Sequence, residues 1–151
     1  MRTYMVVLDE SREAENALRF AARRATGTGG AVHILALVAP TEFVQWGGVQ
    51  ATIEEEAYQR AEALCAGAAG TITDESGIRP AITVKTGEAV AMVRETLGEV
   101  DNLAALVLGA SAEGTPGPLV AYFTGAEAGK LPCPVMIIPG GLSREDIDRL
   151  S

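Results

Sequence analysis

The sequence predicts a doubly wound α/β domain, a parallel sheet of five strands with helices on both faces. Three observations carry that prediction. Short runs made almost wholly of apolar residues recur along the chain, as strands buried on both faces require. Between them lie stretches whose apolar residues return at helical spacing. Strand and helix alternate throughout, and right-handed crossovers turn such an alternation into a parallel sheet covered on both sides. With 151 residues, 48% of them apolar, the chain can fill one core, and one domain is expected over residues 1–141, followed by a polar tail over 142–151.

The first strand is Tyr4-Met-Val-Val-Leu8, bounded by Asp9. Asp9-Glu10-Ser11 opens a helix in which either Ser11 or Asp9 can cap, and Ala14, Ala17, Leu18, Ala21, Ala22 and Ala25 share one face. Thr26 to Gly30 stops it. Ala31 to Val38 is the second strand, closed by Pro40. A long, aromatic connection with Phe43, Trp46, Gly47 and Gly48 follows, which reads equally as a lid over a pocket or as a cover for apolar surface. Ile53, Ala57, Ala61, Leu64, Ala68 and Ile72 then mark the inner face of a second helix, whose outer face carries Glu54, Glu55, Gln59 and Glu62. Ala81 to Lys85 alternates and suits an edge strand. Gly87-Glu88 starts a third helix, with Ala89, Met92, Val93, Thr96, Leu97 and Val100 inward. Ala104 to Leu108 is the fourth strand, Leu119 to Lys130 the fourth helix, and Val135-Met-Ile-Ile138 the fifth strand between Pro134 and Pro139. Ser143 to Ser151 has too few apolar residues to build anything independently.

Composition excludes several functions. A net charge of −8 repels phosphodiester backbones and anionic membrane surfaces, and 5% aromatic content leaves no base-stacking platform, so neither nucleic acid nor membrane is expected as a partner. No basic apolar signal segment opens the chain and no run approaches the roughly 20 residues of a membrane span, so a cytoplasmic protein is expected. Cys65 and Cys133 lack a Cys-x-x-Cys pattern and read as reduced packing residues, with no metal site. His33, the one histidine, sits inside a strand, and no Gly-x-Ser-x-Gly elbow is present to pair with it. No catalytic residues are assigned.

The chain's most suggestive stretch is Gly109 to Gly125, where a buried strand empties into glycines, prolines and hydroxyls. Such a loop can present backbone N–H groups to an anion, or can simply turn the chain. In an open parallel sheet, ligands bind beyond the carboxyl ends of strands where the winding reverses. If the first and fourth strands are neighbours, Asp9 and Gly109 share a crevice with Leu37 and Val38 beside them. Asp9 then either accepts hydrogen bonds from a ribose or base amine, or merely caps its helix. Gly125 to Leu131 imitates a P-loop but has the wrong spacing and no Ser or Thr for magnesium, and no Gly-x-Gly-x-x-Gly follows the first strand.

Leu8-Asp9-Glu10-Ser11, Ala31 to Val38, Thr86-Gly87-Glu88, Val107-Leu-Gly109 and Leu131-Pro-Cys-Pro-Val-Met-Ile-Ile138 together resemble the universal stress protein family across almost the whole chain. The resemblance implies a Rossmann-like sheet of order 3-2-1-4-5 with four helices. It also implies a stress-response protein that forms a homodimer through its last strand, here Val135, Met136, Ile137 and Ile138. One branch of that family binds ATP through Gly-x2-Gly-x9-Gly-Ser/Thr. Here Gly109 matches the first glycine, Ala112 stands at the second, and neither Ala121-Tyr122 nor Gly125-Ala126 supplies the final pair. No Lys or Arg occurs from Gly109 to Gly129, and Glu113 adds a negative charge. The expectation is a regulatory protein with a weakened or altered nucleotide pocket. The alternative is an ATP- or AMP-binding member, with magnesium if ATP binds, hydrolysing slowly at most. In the first reading the crevice is lined by Asp9, Leu37, Val38, Gly109 and Ser111; in the alternative Gly109, Ser111, Thr115 and Thr124 contact the phosphates.

Overall fold

Each apolar run becomes a strand, and the strands alternate with helices in the order the periodicity requires. The computed structural model describes residues 1–40 and 47–151, so the expected lid residues Phe43 and Trp46 lie outside the described residues. The elements are β1 (Thr3–Leu8), α1 (Arg12–Thr28), β2 (Ala31–Val38), α2 (Gly47–Ser76), β3 (Ala81–Thr86), α3 (Ala89–Glu99), β4 (Leu103–Ala110), α4 (Pro118–Phe123), β5 (Val135–Pro139) and α5 (Arg144–Leu150). All four strand pairings are parallel and the sheet order is β3-β2-β1-β4-β5. β1 and β4 are therefore neighbours, with Val6 opposite Val107, and the winding reverses between them.

Strand alternation sends side chains to two cores. Tyr4, Val6, Ile34, Ala36, Ala105 and Val107 meet α1, α2 and Ile147 of α5 on one face. Met5, Leu35, Leu106 and Leu108 meet Val93 and Leu97 of α3 and Val120 and Phe123 of α4 on the other. α1 begins at Ser11, whose hydroxyl accepts the Ala14 N–H at 3.2 Å, and ends at Gly29 in the left-handed region at φ 67°. α3 begins at Glu88, whose carboxylate accepts from the Val90 and Ala91 N–H groups. β3 is an edge strand, as its alternation predicts, and Ile82 on it is 42% exposed.

The structure departs from expectation in the C-terminal third. The helix expected over Leu119 to Lys130 is only six residues long, and a single 3-10 turn over Ala128–Lys130 follows it. Thr124 stops it: its hydroxyl donates to the Val120 carbonyl at 2.7 Å, and the Gly125 N–H turns back to Tyr122. The stretch after β5 is the opposite case, since it forms a fifth helix where four were expected. Its single inward apolar residue, Ile147, is fully buried. Arg19 of α1 grips Asp148 through two hydrogen bonds of 2.8 and 2.9 Å. A segment too polar to fold alone is helical because α1 receives it.

Candidate functional site

The sheet order brings Asp9 at the end of β1 and Gly109 near the end of β4 onto adjacent strands. Gly109 has a packing reason to be glycine. A Cβ there would overlap the Glu13 carbonyl and lie 2.9 Å from the Ala14 nitrogen, so the first turn of α1 rests directly on the β4 backbone. Gly140 serves the same seam: its N–H donates to the Ala110 carbonyl at 2.7 Å, and a Cβ on it would approach that oxygen to 2.9 Å.

The loop after β4 is closed on itself. The Ser111 hydroxyl accepts the Glu113 N–H at 3.2 Å and donates to the Glu113 carbonyl at 3.1 Å, and the Ser111 N–H donates to the Pro116 carbonyl at 3.2 Å. Gly114 and Gly117 hold the loop's two positive φ angles, 72° and 111°. Thr115 is exposed on the loop, and the hydroxyl of exposed Thr124 is committed to Val120. α4 opens at Gly117 without a side-chain cap.

A cleft of about 390 Å3 opens on the other side of Asp9, between the carboxyl ends of β1 and β2 and the flank of α2. Asp9, Leu37 and Val38 line it together, while Gly109, Ser111, Thr115 and Thr124 do not. The seven expected site residues thus fall into two groups on either side of the β1 end. Asp9 is exposed, and one of its carboxylate oxygens accepts the Ser11 N–H at 2.8 Å, which shapes the turn into α1 and leaves the helix cap to Ser11. α2 contributes Ala57, Arg60, Ala61 and Leu64 to the cleft. Arg60 is absent from the sequence-based set. The signal was there, because Arg60 stands three residues after Ala57 and one before Ala61, at the edge of the stripe that faces the sheet and itself exposed.

A larger groove of about 1150 Å3 runs between α1 and α2 to Arg144 and Ser151, sharing Leu8 and Leu64 with the cleft. Its cations are occupied: Arg19 binds Asp148 and Glu75, Arg23 binds Asp148, and Arg144 lies 3.6 Å from Glu75. Asp148 holds its carboxyl below the usual range, chiefly through the hydrogen bond from Arg19.

His33 is far from this chemistry, near the start of β2. Its Nε2 lies 2.7 Å from the Thr83 hydroxyl, and burial lowers its pKa, with Glu99 opposing and Lys85 reinforcing that shift. Burial pushes up the thiols of Cys65 and Cys133, and both are free. Among the described residues no group of His, Cys, Asp and Glu is arranged to hold a metal ion, and no helix is long and apolar enough to cross a membrane.

A glycine that seats α1 on β4, a Gly- and Pro-rich loop after β4, and a cleft at the strand-order reversal invite comparison with known proteins. The family model described as the universal stress protein family matches residues 1–139. The chain belongs to the universal stress protein family. Universal stress protein UspA from Lactobacillus plantarum superposes with a TM-score of 0.76 at 16% identity, over 91% of this chain and 97% of that one. A universal stress protein from Archaeoglobus fulgidus in complex with dAMP superposes at 0.57 with 20% identity, covering 91% and 98%. An Arabidopsis thaliana member with AMP bound superposes at 0.58 with 17% identity, covering 92% of each. No curated protein matches the chain. Identities this low establish the fold, which is that of the universal stress proteins.

Proposed function

We propose that this universal stress protein is a cytoplasmic, homodimeric regulatory protein whose nucleotide pocket is weakened for ATP. The observation that carries the reading is the closed loop after β4: the Ser111 N–H and hydroxyl are bonded within the loop, and Thr124 is bonded to its own helix. Phosphate-binding loops need N–H groups turned outward and a cation nearby. Here the one charged residue from Gly109 to Gly125 is Glu113, and no Lys or Arg occurs there. Ala112 adds a Cβ where a backbone approach to phosphate favours glycine. The relatives crystallised with dAMP and AMP support a nucleoside as the natural class of ligand for such a pocket.

Isothermal titration with ATP and AMP, with and without magnesium, tests the reading. ATP should bind no tighter than about 1 mM, near −4 kcal/mol. Restoring the loop with Ala112→Gly and Glu113→Lys together should strengthen ATP binding by about tenfold or more. A micromolar constant for the unaltered protein would instead establish an ATP-binding member, and phosphate release measured on that complex would decide whether it hydrolyses slowly.

A further inference from the structure

Among the described residues, the one cation that lines the cleft at the β1 and β2 ends is Arg60. Ala57, Arg60, Ala61 and Leu64 stand at i, i+3, i+4 and i+7, so the arginine shares the α2 face that lines the cleft. The length of α2 explains its position. Thirty helical residues extend about 45 Å, whereas the eight residues of β2 span about 26 Å, so the first turns of α2 overhang the carboxyl edge of the sheet. Arg60 therefore stands level with Asp9 rather than over the sheet's middle. Unlike Arg19, Arg23 and Arg144, it has no ion pair among the described residues. Its planar guanidinium is shaped to take two phosphate oxygens.

We propose that Arg60 is the anion-recognition residue of this pocket, and that the ligand is a nucleoside bearing one compact phosphate group, seated against α2 instead of in the loop after β4. This rests on the nucleotide-pocket reading above and supplies the cation that the loop lacks. Leu37, Val38 and Ala61 offer apolar walls to a base or sugar, and the Asp9 oxygen not held by Ser11 accepts from a ligand hydroxyl or amine. A second or third phosphate gains nothing there, because among the described residues the cleft's other charges, Asp9 and Glu10, are carboxylates.

Nuclear magnetic resonance titration of the full chain with adenosine and with AMP, for the wild type, Arg60→Lys and Arg60→Gln, tests the assignment. AMP should bind at least about fivefold tighter than adenosine to the wild type, as one solvent-screened charge pair allows. Arg60→Gln should remove that advantage while leaving adenosine binding unchanged, and Arg60→Lys should keep part of it. An unchanged AMP-to-adenosine ratio in Arg60→Gln overturns the proposal. So does the absence of any shift at Leu37, Val38 or Ala61 with about 10 mM AMP, although the weakened-pocket reading would survive that result. Micromolar ATP binding would overturn the weakened pocket and leave the Arg60 comparison still decisive for Arg60.

Discussion

Gly109 illustrates how one residue can serve packing where a motif suggests ligand binding. Its missing Cβ is filled by the Glu13 carbonyl of α1. Gly109→Val should therefore cost about 3 kcal/mol of stability or more without any ligand present, measured by urea denaturation, because the helix start must be pushed off the strand. Loss of nucleotide binding in that variant would report displaced α1, not a broken phosphate contact. Asn16 is a second residue whose work is invisible in sequence: its side-chain amide donates to the Pro139, Gly140 and Leu142 carbonyls, at 3.2 to 3.3 Å. His33 carries a pH prediction. Burial keeps it neutral in the fold, so its folded pKa lies below the unfolded value of about 6.5. The unfolded chain takes up the proton first as pH falls, and stability should decline from about pH 6.5 downward until the folded His33 is itself protonated. Urea midpoints at about pH 7.5 and 5.5 should differ less for His33→Gln than for the wild type; equal differences would assign the pH dependence elsewhere.

Among the elements, α5 and α2 decide most. α5 has one fully buried side chain, Ile147, and a charged clasp of Arg19 and Arg23 around Asp148. Ile147→Ala should cost about 3 kcal/mol, read from the denaturation midpoint. The clasp should be acid-labile. Asp148 is depressed in the fold, so its contribution is complete above the ordinary carboxyl range, about 4, and is lost as pH falls through the lower folded value. Amide protection factors over residues 144–150, exchange rates taken relative to the unstructured rate at each pH, should fall in that window in the wild type and show less pH dependence in Asp148→Asn. α2 was legible as an amphipathic helix, although Ile53, expected inward, is 43% exposed; its start at Gly47 was not legible, since Gly47 and Gly48 read as loop residues by propensity. Arg60 lies within the legible part of α2, and its place in the cleft follows from how α2 packs beside the ends of β1 and β2.

At the scale of the molecule, the edges of the sheet determine how copies can associate. β5 is an edge strand pairing only with β4, and an apolar edge offers unpaired backbone groups to a symmetric partner. Val135, Met136 and Ile137 remain half-buried, whereas Ile138 is 4% exposed and belongs to the core. Sedimentation at micromolar concentration should give twice the 15.7 kDa chain mass, and Ile137→Pro, which removes an N–H on the side of β5 away from β4, should reduce it to the single-chain value. The alternation of apolar runs with helical periodicity determined the layers, and with them the parallel sheet, because burial on both faces leaves a strand no polar side. The reversal between β1 and β4 came from the family resemblance and not from periodicity, and the sheet order bears it out. Only the tertiary structure decided that Asp9, Leu37 and Val38 face α2 while Ser111, Thr115 and Thr124 stand apart from them. Only it decided that Gly109 is spent on α1 and that a polar tail becomes a helix. Periodicity records which side chains leave water, whereas the use of a glycine, an arginine or a short polar segment depends on what a distant part of the chain brings against it.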